Sequence, residues 1–130
     1  MPRDIKFLML ALRYSYQSPH ERQFAAIIVR GNRIFSIGYN QYRSHPKQET
    51  LYHKKHQLHA EVAAIIGLRL DLIQGATMYV VRHLANGNMA IAKPCLCCEQ
   101  IIRSVGISKV AYSITGNSKQ DNFEYGTMKL

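Results

Sequence analysis

The sequence has no apolar stretch long enough to cross a membrane as a helix, which requires about 18 consecutive residues. Cysteine is also scarce, and the three cysteines lie within four positions. An odd, clustered set favours metal binding in a reducing compartment over disulfide bonds. Residues 1–4 include an acid and precede no small-residue cleavage site, so we expect no secretory signal, no membrane association and a cytoplasmic protein.

Acidic residues are few: 8 Asp and Glu stand against 17 Lys and Arg, which gives a net charge of +9 at pH 7. The excess is concentrated in residues 1–58, which hold ten basic and three acidic side chains. A positive surface favours polyanions such as nucleotides and nucleic acids. The alternative, that the scattered charges only keep the surface solvated, stays open.

The chain of 130 residues has the size of one domain, and we predict a single domain over residues 1–130. Helical and strand patterns alternate along it, which is typical of a sheet covered by helices on both faces. We expect a three-layer α/β/α sandwich with a mixed central sheet of four to five strands. The predicted helices cover about residues 4–16 (capped by Asp4), 60–70 and 95–104, and the predicted strands residues 24–29, 34–39, 78–81, 89–92 and 109–112, with a short edge strand or none near 123–128.

Two short motifs offer metal-binding side chains. His59 and Glu61 stand two residues apart at the start of an apolar run, and Cys95 and Cys98 stand three apart where Pro94 presets a helix. Cysteines spaced in this way project from one helix face, and a helix N-terminus favours the thiolate that zinc requires. We predict that His59, Cys95 and Cys98 bind one zinc ion. Three protein ligands leave one tetrahedral position for water, as in catalytic zinc sites.

Glu61 is the predicted catalytic residue. A carboxylate on a helix as apolar as residues 60–70 requires a partner or a function, because burying it alone is unfavourable. An activated water is expected to pass a proton to Glu61, which returns protons to a ring nitrogen and a departing amine. Cys97 points away from its neighbours and is predicted to be a small buried apolar residue.

Other interpretations of these motifs stay open. A Cys-x-x-Cys pair is often a structural zinc site or a redox pair, which would make this a non-catalytic binding module. A structural site needs a fourth ligand, for which His53, His56 and His83 are the candidates. Histidines in residues 45–56 also permit a second metal site, although such a run is more often a solvated basic loop.

The combined motifs resemble the signature of the zinc-dependent cytidine/deoxycytidylate deaminase superfamily, His-x-Glu with Pro-Cys-x-x-Cys. Lys93, before Pro94, stands where many relatives carry an acid. The resemblance covers about residues 5–112 and implies the cytidine-deaminase-like fold. Beyond the signature it rests on residues 24–29, Gly38-Tyr39-Asn40, residues 75–80 and residues 106–112.

The resemblance also implies substrate contacts. Asn40 is expected to bind the sugar, and the backbone of Ala26, Ala60 and Pro94 is expected to lie near the base. The long polar loop before His59 is interpreted as facing the substrate. Its basic residues predicted to meet a phosphate are Arg43, Lys47, Lys54 and Lys55.

The implied activity is the hydrolysis of dCMP to dUMP with release of ammonia, by a homo-oligomer that binds one zinc ion per subunit. The first alternative is a deaminase of bases in single-stranded DNA or RNA, which the charge of +9 permits. A deaminase of free cytidine or deoxycytidine is disfavoured, because a neutral nucleoside does not require a basic loop. The signature leaves the base itself open, so a purine deaminase stays an alternative.

Overall fold

The computed structural model describes residues 2–19, 22–41, 59–117 and 122–130. These residues form a six-stranded sheet that is covered by three α-helices, one on one face and two on the other, and a short 3-10 helix at Leu70–Leu72. The helices are α1 (Arg3–Ser15), α2 (Ala60–Ile65) and α3 (Leu96–Ser104), and the strands are β1 (Gln23–Arg30), β2 (Arg33–Tyr39), β3 (Thr77–His83), β4 (Asn88–Ala90), β5 (Lys109–Asn117) and β6 (Asn122–Lys129).

The strand order is β2-β1-β3-β4-β5-β6, so β2 and β6 form the edges of the sheet. Most neighbouring strands are antiparallel, but β3 and β5 run parallel where residues 77–80 pair with residues 109–112. Beyond these pairs the short strand β4 lies between β3 and β5 and pairs with both. The expected number of four to five strands is wrong, because β6 is a complete strand of eight residues paired with β5.

Successive side chains of a strand point to opposite faces of the sheet, and both faces are covered. Helix α1 packs on one face, which we name the α1 face, and helices α2 and α3 pack on the other, the α2–α3 face. The central strands contribute Ile27, Val29, Tyr79 and Val81 to the α1 face, and Ala26, Ile28, Met78 and Val80 to the α2–α3 face.

The first turn of α1 differs from the prediction. Pro2, not Asp4, is the N-cap residue, and no side chain caps the helix. The Asp4 carboxylate instead accepts hydrogen bonds from Lys109 Nζ and the Tyr79 hydroxyl, each at 2.8 Å. Asp4 therefore joins the start of α1 to β3 and β5. Every helix among the described residues falls short of the length and apolarity that a membrane-spanning helix needs.

Helix α2 is shorter than predicted and ends at Ile65 instead of near residue 70. Gly67 follows with a φ of +84°, a left-handed conformation that favours glycine and stops a helix. The helix lies directly on β2 at Gly38, which has no Cβ to separate the two backbones. This close packing sets the position of His59, the residue that precedes α2.

Candidate metal centre

Two helix starts bring the three predicted zinc ligands together. His59 is the N-cap residue of α2, Cys95 is the N-cap residue of α3, and Cys98 lies in the first turn of α3. One ligand atom from each residue lies within 4.8 Å of the other two. Within the part of the chain that the structure describes, this is the one group of three or more His, Cys and acidic side chains placed to hold a metal ion.

The donor atoms and their spacing fit zinc. With zinc–ligand bonds of about 2.0–2.3 Å, a nitrogen and a sulfur on a tetrahedral ion lie about 3.6 Å apart. Cys98 Sγ lies 3.5 Å from His59 Nδ1, which matches that separation. An imidazole and two thiols are also donors that zinc prefers over harder cations. The predicted zinc cofactor is therefore confirmed.

The two cysteines of the site differ in exposure. Cys95 is exposed and Cys98 is buried. A hydrogen bond with Cys95, together with burial, raises the pKa of the Cys98 thiol. The raised pKa favours the protonated thiol. A cation bound between the two sulfurs has the opposite effect and favours the thiolate, because a coordinating thiol is deprotonated. Cys97 is outside the group and packs partly buried against the apolar core of the α2–α3 face.

Glu61 lies beside the zinc ligands and is 6% exposed. Burial, opposed in part by a hydrogen bond to its own backbone, raises the pKa of Glu61 to about 7. A carboxyl group of this kind can take up or release a proton near neutral pH. The start of α2 thus presents an imidazole and a carboxyl group to the same space.

That space is a pocket with a volume of about 200 Å³. Its wall combines two of the predicted zinc ligands and Glu61 with two cationic side chains, one from the segment before β1 and one from the segment before α3. An anionic ligand is favoured by such a wall. The lining residues are Arg22, Phe24, Asn40, His59, Ala60, Glu61, Ala92, Lys93 and Cys95.

The predicted substrate-binding residues are only partly brought to this pocket. Asn40 and Ala60 line it. Ala26 is fully buried in β1, where it pairs with β2 and β3, and does not line the pocket. Pro94 is buried between two lining residues without lining the pocket itself. The predicted phosphate contacts Arg43, Lys47, Lys54 and Lys55 lie outside the described residues.

Of the three candidates for a fourth zinc ligand, one lies within the described residues. His83 is not a member of the metal-binding group, because its Nδ1 lies 2.6 Å from Ser15 Oγ on the α1 face. His53, His56 and the second metal site suggested for residues 45–56 lie outside the described residues.

Four residues that line the pocket were not among the predicted site residues: Arg22, Phe24, Ala92 and Lys93. Lys93 adjoins the Pro-Cys motif, so its position next to the zinc ligands was a usable signal. Arg22 carries no comparable signal, because it comes near the zinc ligands only when β1 packs beside α2.

Comparisons with known proteins agree with this geometry. A family model described as "Cytidine and deoxycytidylate deaminase zinc-binding region" matches residues 1–114. The dCMP deaminase of cyanophage S-TIM5, solved in complex with dCMP and dUMP, superposes with a TM-score of 0.58 at 22% identity over 85% of this chain and 81% of that chain. Its apo form gives a TM-score of 0.55 at 20% identity over 85% of this chain and 82% of that chain.

A second neighbour is RibD of Acinetobacter baumannii, with a TM-score of 0.52 at 22% identity over 82% of this chain and 27% of that chain. At these identities the likeness concerns the fold. No curated protein sequence matches the chain.

Proposed function

The chain belongs to the cytidine and deoxycytidylate deaminase zinc-binding family, and from this premise we propose that it hydrolyses dCMP to dUMP and ammonia. The observation that carries the proposal is the position of Glu61. This buried acid lines one pocket together with His59 and Cys95, two members of the metal-binding group that Cys98 completes, and there it can exchange protons with a molecule held next to the metal.

In the proposed reaction, water replaces the amino group of the cytosine ring. Zinc, when bound by His59, Cys95 and Cys98, supplies the Lewis acidity that makes water a nucleophile at neutral pH. Glu61 accepts one proton from the attacking water and donates it to the adjacent ring nitrogen. It then accepts the second proton of the same oxygen and donates it to the amine, which leaves as ammonia while the ring carbonyl forms. The wall of the pocket holds the ring and limits the access of other water.

The charge of the pocket supports a nucleotide over a nucleoside. Arg22 and Lys93 both line it, and a phosphate next to two cations is attracted to them. A neutral nucleoside gains nothing from these charges. The dCMP deaminase of cyanophage S-TIM5, whose fold is similar, was solved with dCMP and dUMP bound. Additional phosphate contacts from Arg43, Lys47, Lys54 and Lys55 stay a prediction.

The remaining walls are assigned to the sugar and the base. In the proposal, Asn40 binds the deoxyribose and the backbone of Ala60 lies beside the cytosine. Ala26 and Pro94 support these positions from behind, since Ala26 shares a buried apolar cluster with Ala60 and Pro94 is buried between Lys93 and Cys95. The expected assembly into a homo-oligomer stays a prediction.

The test is a substrate panel with a matched inactive variant. Zinc-loaded protein is offered dCMP, CMP, deoxycytidine, dCTP and a cytosine-rich single-stranded oligonucleotide, and the products are separated by chromatography. We expect rapid conversion of dCMP and a loss of at least roughly 10²-fold in kcat for Glu61→Gln, with zinc still bound.

Two results would overturn the proposal. An active Glu61→Gln protein would show that Glu61 is not the proton carrier. Turnover of the oligonucleotide alone, weakening steeply with added salt, would make the chain a nucleic-acid deaminase instead.

A further inference from the structure

Two backbone groups determine which way the side-chain amide of Asn40 faces. The backbone N–H of Phe24 donates to Asn40 Oδ1 at 2.9 Å, and Asn40 Nδ2 donates to the backbone carbonyl of Arg22. A backbone N–H can only donate and a carbonyl can only accept, so the reversed orientation of the amide would lose both hydrogen bonds. The oxygen and nitrogen of Asn40 are therefore unambiguous.

Ser18 occupies the remaining acceptor site of that amide. Its hydroxyl is buried and lies 2.6 Å from Asn40 Oδ1 and 2.9 Å from the backbone carbonyl oxygen of Asn40. An amide oxygen accepts about two hydrogen bonds, and Ser18 and Phe24 supply both. Gln23 Nε2 donates to the carbonyl of Ser18 at 2.9 Å, which holds the segment after α1 in place.

The nitrogen of the amide has one donor left. Asn40 Nδ2 carries two N–H groups, and one of them donates to Arg22. The second N–H has no hydrogen-bond acceptor within the described residues. Because Asn40 lines the pocket, it offers a ligand a donor and no acceptor.

We infer that Ser18 is a positioning residue for substrate recognition: it holds Asn40 so that its amide donates to an acceptor oxygen of the substrate. The inference rests on the proposed function, in which Asn40 binds the deoxyribose. The acceptor to be tested is therefore the 3′ oxygen, since the 3′ hydroxyl is the one hydroxyl group that this sugar carries in dCMP. Ser18 itself does not line the pocket and acts only through Asn40. A substrate without the 3′ oxygen leaves the amide donor without its acceptor.

The kinetic test compares Ser18→Ala with wild type on dCMP and on 2′,3′-dideoxycytidine 5′-monophosphate. We expect KM for dCMP to rise about three- to tenfold in Ser18→Ala, the effect of one misplaced neutral hydrogen bond, with kcat nearly unchanged. KM for the dideoxy substrate should be the same in both proteins. Ser18→Thr keeps the hydroxyl and should restore KM for dCMP.

The matched control is Ser108→Ala. Ser108 Oγ donates to the carbonyl of Gly75 at 2.9 Å, beside the N-terminal end of β3 and away from the pocket, so neither KM should change. An equal rise of KM for both substrates in Ser18→Ala would overturn the inference, since a general structural defect does not distinguish the 3′ oxygen.

A measurement independent of turnover keeps the two proposals separable. The side-chain NH₂ resonances of Asn40, assigned by their loss in Asn40→Asp, are followed by ¹H–¹⁵N NMR. We expect both resonances to shift in Ser18→Ala and in Ser18→Cys, and to stay in place in Ser108→Ala. Unchanged resonances in the Ser18 variants would overturn the positioning role. A wild type inactive on dCMP would overturn the proposed function, and the NMR result would still decide whether Ser18 orients Asn40.

Discussion

Gly38 of β2 lies in direct contact with the backbone of Ala64 in α2. A Cβ added to Gly38 would lie closer than 3.0 Å to backbone atoms of Ala60, Ala63 and Ala64. Backbone cannot move aside as the end of a flexible side chain can. The absence of a side chain at Gly38 therefore determines how closely the helix that follows His59 approaches the sheet.

Replacement of Gly38 by Ala is expected to lower the free energy of unfolding by about 3 kcal/mol or more, because overpacking against backbone has no easy relief. Ser36→Ala is the matched control on the same strand. It removes a hydrogen bond of 2.5 Å to the Ala64 carbonyl and should lower that free energy by only about 1 kcal/mol. Urea unfolding measures both values. Equal losses would contradict the close approach at Gly38.

Substitution of the three cysteines one at a time should separate ligands from packing. Cys95→Ser and Cys98→Ser each remove a thiolate and should reduce bound zinc well below one ion per chain. Cys97→Ser should keep the ion, since Cys97 only packs against the core. Metal content by plasma mass spectrometry checks all three. Loss of zinc from Cys97→Ser, with Cys95→Ser unaffected, would reassign the ligands.

Reversal of the charge of Lys93 should weaken nucleotide binding selectively. Lys93→Glu is expected to raise KM for dCMP about tenfold, or about 1.4 kcal/mol, and to leave KM for deoxycytidine nearly unchanged. Added salt should reduce the difference. Lys129→Glu, on an exposed position of the edge strand β6 that does not line the pocket, makes the same charge change and should have little effect. Parallel changes for dCMP and deoxycytidine would exclude a phosphate contact.

The Asp4 hydrogen bonds should make stability depend on pH. Burial alone would raise the pKa of Asp4, but the hydrogen bonds from Lys109 and Tyr79 hold it below the ordinary value of 3.8. A carboxyl with a lowered folded-state pKa stabilises the fold above about pH 5, and this contribution is lost as the pH falls through the folded value. Asp4→Asn should therefore lower the free energy of unfolding by about 1–2 kcal/mol at pH 7 and by progressively less below pH 4.

Asp71→Asn is the control for Asp4→Asn. The Asp71 carboxylate pairs with Arg69 at 2.9 Å, but the two side chains are 64% and 74% exposed. Exposed pairs of this kind contribute about 0–1 kcal/mol, so Asp71→Asn should change stability little at either pH. Denaturant unfolding at several pH values compares the two variants. A pH-independent effect of Asp4→Asn would contradict the ionic role of Asp4.

Elements defined by local signals were predictable. The apolar run from Ala25 to Val29 predicted a buried strand, and Pro94 predicted the start of α3. Two elements needed contacts distant in sequence. The polar strand β6 forms because β5 provides a partner along its length. Helix α2 was predicted too long because Ile66 and Leu68 are apolar for a different reason, contact with the core after the helix has ended.

Some residues of the candidate site were likewise predictable from local sequence, and others were not. The zinc ligands and the position of Glu61 beside them were predictable, since each belongs to a short motif whose spacing carries the chemistry. Ser18 was not, because its hydroxyl meets Asn40, which is 22 residues away. Arg22 likewise comes near the zinc ligands only after β1 has paired within the sheet. Such residues carry no pattern of their own and are identified by the fold.

The apolar core of the α1 face and the residues of the pocket are separate parts of the protein. Among the described residues, those that line the pocket are all outside the apolar cluster of the α1 face. Substitutions distant from one another and without shared partners usually have additive effects. The α1 face is therefore a region where an engineer can seek heat resistance, and where natural variants can accumulate, while the chemistry on the opposite face stays as it is.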